Sequence, residues 1–314
     1  MHKRIPVINA GQLSTAIGQR DLDRACREWG VFELVNHGIN GDVFEGLLTN
    51  MQQFFDLPAA EKLKLERTDD NPWGYFNREL TQNTRDWKEI FDYGPRNGSL
   101  HRARLPDQPH TFARALESYY SACETLSYTL LHALAINMGA KPEDLNRHFV
   151  SGHSSFARLN YYPPLPPTEQ VALRAETLGI HPHTDAGAFT LLLHDDSPGL
   201  QVFHHGAWHT VAAERGSIVV NLGDIVQVWS NDRYTAPLHR VSANPIGARY
   251  SAPFFFNPSY TTEYHPLPAM VSPSWPARYQ KIHWGYFREQ RARGDYADHG
   301  EEIQISQFRM EGAA

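Results

Sequence analysis

Read for the spacing of its apolar positions, the chain changes texture near its midpoint. Ile5-Pro6-Val7-Ile8 has the look of a short strand, with Pro tolerated near a strand start. From about Ser14 to Trp29, the residues Ile17, Leu22, Ala25, Cys26 and Trp29 recur at helical spacing, and Gly30 stands where a left-handed C-terminal cap belongs. Val31 to Val35 reads as a strand that Asn36-His37-Gly38 turns, and Asp42 is placed to cap a helix carrying Val43, Phe44, Leu47, Met51, Phe54 and Phe55. Phe112 to Met138 predicts a long amphipathic helix closed by Gly139, and Lys141 to Phe149 one more helical segment.

Beyond Ser151 short apolar runs alternate with Gly, Pro and Asp. Ser155–Tyr162, Ala188–Leu193, Leu200–Phe203, Trp208–Val211, Ser217–Leu222, Ile225–Trp229 and Arg249–Phe256 all read as strands. Many short strands with turn signals between them predict a sandwich, jelly roll or barrel, so the whole chain falls in the α+β class. A helix from Ala277 to about Arg293 is expected to pack back on that core.

Composition narrows the function classes. A chain of 314 residues with 41% hydrophobic and 20% charged residues can bury a substantial core without staples. A formal charge of −6 argues against nucleic-acid or anionic-membrane surfaces, which need clustered Lys and Arg, and leaves a small-molecule substrate as the expected partner. Cys26 and Cys123 are too few and too far apart for a disulfide framework and are expected as small buried groups in helices. No apolar run approaches the ~20 residues of a bilayer span, and none of signal-peptide length follows the basic N-terminus. A cytoplasmic protein is therefore expected; the number of copies in any assembly is left open.

The candidate chemistry lies between His181 and Ser251. His183 and Asp185 alternate as i and i+2, so in extended backbone both side chains share a face. About one His-x-Asp pair is expected by accident in a chain this rich in both, and a second, His194-Asp195-Asp196, reads as a solvated turn beside Ser197-Pro198-Gly199. His239, 54 residues after Asp185, would complete a set of two imidazoles and one carboxylate. That donor set occupies one face of an octahedral iron(II) and leaves the other face open to ligands such as O2. Ten residues further, Arg249 and Ser251 share a strand face and offer a guanidinium fork and a hydroxyl to a carboxylate. His181 is close enough to compete, but the triad is already complete without it.

Leu159-Asn160-Tyr161-Tyr162-Pro163-Pro164, His183-Thr184-Asp185, Asn221-Leu222-Gly223-Asp224, His239-Arg240-Val241 and Arg249-Tyr250-Ser251 together resemble the isopenicillin N synthase-like group of iron(II)- and 2-oxoglutarate-dependent dioxygenases. Ile5-Pro6-Val7-Ile8, Trp29-Gly30-Val31-Phe32 and Val35-Asn36-His37-Gly38 resemble its N-terminal hallmarks, and the likeness spans about residues 5–290. The resemblance implies a double-stranded β-helix core, a jelly-roll variant, flanked by helices. It further implies that His183, Asp185 and His239 ligate Fe(II), that Arg249 pairs with the distal carboxylate of 2-oxoglutarate, and that Ser251, Tyr162 and Asn160 help hold this cosubstrate. The expected division is an N-terminal mixed α/β region over 1–105, supporting helices over 106–150, the catalytic core over 151–262 and a C-terminal helix and tail over 263–314.

The expected activity is the oxidation of a small organic molecule by O2 and 2-oxoglutarate, whether hydroxylation, desaturation or ring closure. Two rivals stay open at this point. Isopenicillin N synthase itself uses an Arg-x-Ser pair for a peptide substrate's carboxylate and needs no 2-oxoglutarate, and a non-catalytic homologue could keep the fold for binding alone. Trp73, Tyr75, Phe76 and Phe91, with Phe254 and Phe256, are the expected aromatic walls of the substrate pocket.

Overall fold

The computed structural model describes residues 4–68, 70–94, 102–107, 110–150, 152–165, 178–212, 214–244, 247–294 and 300–311. Met1 to Lys3, part of the basic N-terminus, lie outside the described residues. Two sheets face each other. The larger has eight strands in the order Val7–Asn9, Val31–Val35, Ile218–Leu222, Phe189–His194, Arg249–Phe256, Phe156–Tyr162, Glu89–Tyr93 and Gly74–Phe76. The smaller runs Ala207–Thr210, Leu200–His204, His239–Ser242 and Leu178–His183. Only Val7–Asn9 and Val31–Val35 pair in parallel; the other neighbours are antiparallel, as a jelly roll requires.

Strand alternation sorts the core into two layers. Leu192, Val219 and Tyr162 of the large sheet meet Leu200, Val202 and Val241 of the small one between the sheets. Leu191, Leu193, Val220, Ala252, Phe254 and Phe256 point the other way, onto the helices Ala16–Glu28, Gly41–Phe55 and Thr111–Asn137. The long helix is fastened by polar contacts as well as packing: the Tyr120 hydroxyl donates to the Ser155 carbonyl at 2.9 Å, and that of Tyr119 to the Ala252 carbonyl. Cys26 and Cys123 are buried in helices as expected, and burial pushes the Cys123 thiol up to about 12. Gly30 does close its helix in the left-handed conformation, at φ +64°, where a Cβ would strike the Thr235 carbonyl.

Three local expectations give way. Ile225–Trp229 is not a strand but part of a short helix, Asp224–Trp229, in which every residue is buried. A run apolar on all sides carries no period, so its β-branched residues suggested a strand. Its free N-terminal N–H groups are satisfied from outside: Asp224 donates to the Asp185 carbonyl at 2.8 Å and Ile225 to the Gly187 carbonyl at 3.1 Å. The C-terminal helix spans Trp284–Gly294 instead of starting at Ala277, because Ile282–His283 pairs as a strand with Glu263–Tyr264 and Tyr279 bridges to Arg309. The second helix is capped by the Asn40 side chain, with Asp42 in its first turn.

Candidate active site

The two sheets enclose a cavity of about 160 Å³ at one end. His183 ends one strand of the small sheet and His239 begins the neighbouring one, and the antiparallel register sets the two residues opposite each other. Their rings lie 4.2 Å apart. Asp185 follows two residues after His183, and one ligand atom from each of the three residues lies within 4.8 Å of the others. The Nε2 atoms of His183 and His239 are 3.7 and 3.8 Å from Asp185 Oδ1.

Each side chain is aimed by a second contact. His183 Nδ1 donates to the His181 carbonyl at 2.8 Å and His239 Nδ1 to the Pro237 carbonyl at 3.1 Å, which fixes the tautomer and leaves both Nε2 lone pairs facing Asp185. Asp185 Oδ2 accepts from Asn221 Nδ2 at 2.8 Å and from the Thr190 hydroxyl, which leaves Oδ1 for the shared centre. Burial works against ionisation of Asp185, but the two imidazoles and these donors outweigh it and hold its carboxyl below the ordinary range. Burial, with the neighbouring His239, depresses His183 to about 4, so its imidazole is neutral and ready to ligate at neutral pH. Gly223 must lack a side chain, since a Cβ would come within 2.2 Å of the Gly187 carbonyl and 2.9 Å of that of Asp185.

Further into the cavity, Arg249 is 2% exposed yet its Nε has no hydrogen-bond partner. Its Nη1 donates to the Ser251 hydroxyl at 3.3 Å, and its guanidinium lies 4.9 Å from the centre of the Tyr162 ring. Asn160 donates to Ser251 at 3.4 Å, leaving Asn160 Oδ1 buried and unpartnered. Unsatisfied buried groups cost ~1–3 kcal/mol each, so a cluster of them around a cationic fork fits a bound carboxylate that would complete the network. Two imidazoles and a carboxylate equally suit an iron(II) centre.

The strand continuing from Arg249 and Ser251 corrects the expected aromatic wall. Residues of that parity line the cavity, so Pro253 and Phe255 face it while Phe254 and Phe256 turn to the helical core. Phe255 stacks on Phe156 at 4.7 Å to make an aromatic ledge. Tyr75 and Phe91 pack against Phe54 instead, at 6.3 and 5.0 Å, while Phe76 lies under the Arg67 guanidinium and Trp73 packs beside Phe156 in an adjoining recess. His181 turns away from the triad to Asp86, 3.0 Å from its Oδ1. His194 ends the strand Phe189–His194, the following Asp195 carboxylate accepts from the Ser197 and Tyr250 backbone N–H groups, and Asp196 faces Arg215 at 3.7 Å, so the second His-x-Asp is structural.

Two sets of residues lie outside the sequence expectations. Asn221 and Thr190 orient Asp185; Asn221 stood inside a quoted motif without a role. A buried charge network joins Lys88 to Glu79 and Asp86 at 2.6 and 3.0 Å, and Arg158 to Asp92 and Glu79 at 2.7 and 2.8 Å. Nothing in local spacing ties these residues together.

Residues 153–258 match the model of the 2OG-Fe(II) oxygenase superfamily, and residues 5–114 that of the non-haem dioxygenase in morphine synthesis N-terminal region. The chain is 31% identical over 287 residues to oxoglutarate-dependent flavonoid 7-O-demethylase 1 of Ocimum basilicum, covering 89% of this chain and 75% of that protein. The chain belongs to the 2OG-Fe(II) oxygenase superfamily. Thebaine 6-O-demethylase of Papaver somniferum is also 31% identical, over 89% of this chain and 78% of its own length. Among solved structures, that of JOX2 in complex with 2OG, Fe and JA superposes with a TM-score of 0.84 at 28% identity, covering 98% of this chain and 90% of that one. The oxygenase is thus an Fe(II)- and 2-oxoglutarate-dependent dioxygenase acting on a small molecule with O2. No helix among its described residues is long and apolar enough to cross a membrane.

Proposed function

We propose that His183, Asp185 and His239 hold Fe(II), that Arg249 and Ser251 hold the distal carboxylate of 2-oxoglutarate, and that Tyr162 and Asn160 line the cosubstrate's seat. The observation that carries this reading is the buried, partly unsatisfied Arg249 fork opening into the same cavity as the triad. When bound, iron with 2-oxoglutarate and O2 supplies the oxidising power that breaks a substrate C–H bond, with succinate and CO2 as co-products. The chain's own task is placement. Thr190 and Asn221 keep Asp185 ionised and aimed, and the His181 and Pro237 carbonyls accept from Nδ1 of the two imidazoles and so keep both Nε2 atoms turned inward. Phe156 and Phe255 form the apolar surface against which one substrate bond is presented and from which water is excluded.

An oxidase that uses Arg249 for its primary substrate's carboxylate would share this geometry. Titration of the iron(II)-loaded protein with 2-oxoglutarate decides between them. Saturable binding that Arg249→Ala weakens supports the proposal; binding indifferent to Arg249 overturns it.

A further inference from the structure

Among the described residues, two guanidinium groups on the cavity walls are left in need of an anion, and the cosubstrate supplies only one carboxylate for such a group. The other cations on its walls already have partners. Lys88 is paired with Glu79 and Asp86, Arg158 with Asp92 and Glu79, and Arg291 with Glu302 at 3.0 Å. Arg249 is taken by the cosubstrate in the reading above. Arg288 remains: it lines both the cavity and the adjoining recess of about 690 Å³, is half-buried, and has no carboxylate or hydrogen-bond partner among the described residues. Its neighbour Glu289 does not serve, because it pairs with Arg293 at 2.9 Å one helical turn away.

The surroundings of Arg288 define what it would read. Its guanidinium lies 5.6 Å from the centre of the Phe156 ring, which also stacks on Phe255. A free planar fork therefore sits at the edge of a flat aromatic ledge, between the inner cavity and the outer recess. We propose that Arg288 binds a carboxylate on the primary substrate, and that the substrate class is a small monocarboxylic acid with a flat aromatic or alicyclic body lying on Phe156 and Phe255. One positive charge without a partner among the described residues calls for a monoanion, because Lys88, Arg158 and Arg291 are already matched by Glu79, Asp86, Asp92 and Glu302 and leave no second charge for a dianion. The assignment rests on the cosubstrate occupying Arg249, and the two claims can fail separately.

The test uses the full chain loaded with iron(II) under anaerobic conditions, titrated calorimetrically with 4-phenylbutanoate and cyclohexylacetate and with their neutral carboxamides. With 2-oxoglutarate bound, each acid is expected to bind at least about tenfold more tightly than its amide, and Arg288→Ala or Arg288→Gln to remove that preference. The Gln variant removes the charge while keeping part of the stem and a neutral amide donor. Equal binding of acid and amide, a preference that survives in either variant, or no binding of either acid overturns the proposal. Titrating 2-oxoglutarate alone into the wild type and Arg249→Ala tests the cosubstrate assignment separately. If that assignment fails, the acid and amide titrations repeated in an Arg249→Ala background still decide Arg288, since only one guanidinium is then left to read the acid.

Discussion

The inner and outer ends of the cavity are built by different physics. At the inner end every functional side chain sits on or beside a strand, and its position follows from register: His183 faces His239, and Arg249, Ser251, Pro253 and Phe255 share one face. The hydrogen-bond ladders that hold the jelly roll also hold the chemistry. At the outer end, Glu79 and Lys88 come from the N-terminal region, Arg158 from a core strand and Arg288 from the C-terminal helix. These segments are remote in sequence, and buried ion pairs join those from the first two regions. On the proposed assignment, the chemistry rests on regular backbone and substrate choice on side chains that can change without disturbing the ladder.

The sharpest way to break this contrast is at the triad. Asp185→Ala or His183→Ala is expected to reduce iron per chain to background and abolish turnover while leaving the fold intact, as read by metal analysis and circular dichroism. Full iron occupancy in either variant would remove the inner end from the chemistry. The outer end should respond in stability instead. Lys88→Met leaves Asp86 buried without its cation and Glu79 with Arg158 as its close partner, and is expected to cost about 3–5 kcal/mol in denaturant unfolding with iron affinity of the folded protein unchanged. Burial raises the Glu79 carboxyl, but Arg158, Lys88 and Arg67 outweigh it and hold it near 2 against an ordinary 4.5. Its contribution is therefore fully present above pH 4.5 and lost as pH falls toward 2, and the slope of stability against pH in that window should flatten in Lys88→Met.

The same division explains what could be read from the sequence. Helix stripes, the Gly30 cap and most strands of the second half follow from local periodicity, and the His183, Asp185 and His239 set from donor chemistry. The strand parity that carries Arg249 and Ser251 already contained Phe255, yet Phe254 and Phe256 were the expected wall; counting in twos from Arg249 would have corrected them. Asp224–Trp229 hid its helix because it is buried on every side, so no polar face marks the period. The charge network could not be found this way. Lys88 meets Glu79 and Arg158 meets Asp92 only through tertiary packing, and separations such as the 66 residues between the last two leave no pattern in the chain.

Arg249→Ala separates cosubstrate from metal within the inner end. Removing a buried cation from its carboxylate is expected to cost about 2–4 kcal/mol, roughly 30- to 1000-fold in the Kd for 2-oxoglutarate, with iron retained. Loss of iron together with the cosubstrate would mean that Arg249 shapes the triad and not a separate seat.

The mildest test asks how much the inner end depends on residues that touch no ligand. Asn221 donates to Asp185 Oδ2 from a strand of the large sheet and orients the carboxylate without reaching the shared centre. Asn221→Ala leaves the Thr190 hydroxyl as the one remaining side-chain donor to that oxygen among the described residues, so the carboxylate is free to rotate about its Cβ–Cγ bond. Iron affinity is expected to fall roughly 10- to 100-fold, the usual cost of losing such a support, while the Kd for 2-oxoglutarate at saturating iron stays unchanged. A competitive chelator titration measures the first and calorimetry the second. If Asn221→Ala left iron affinity at the wild-type value, strand register with the Thr190 hydroxyl would suffice to place Asp185, and the contrast between the two ends would be sharper than the Asn221 hydrogen bond implies.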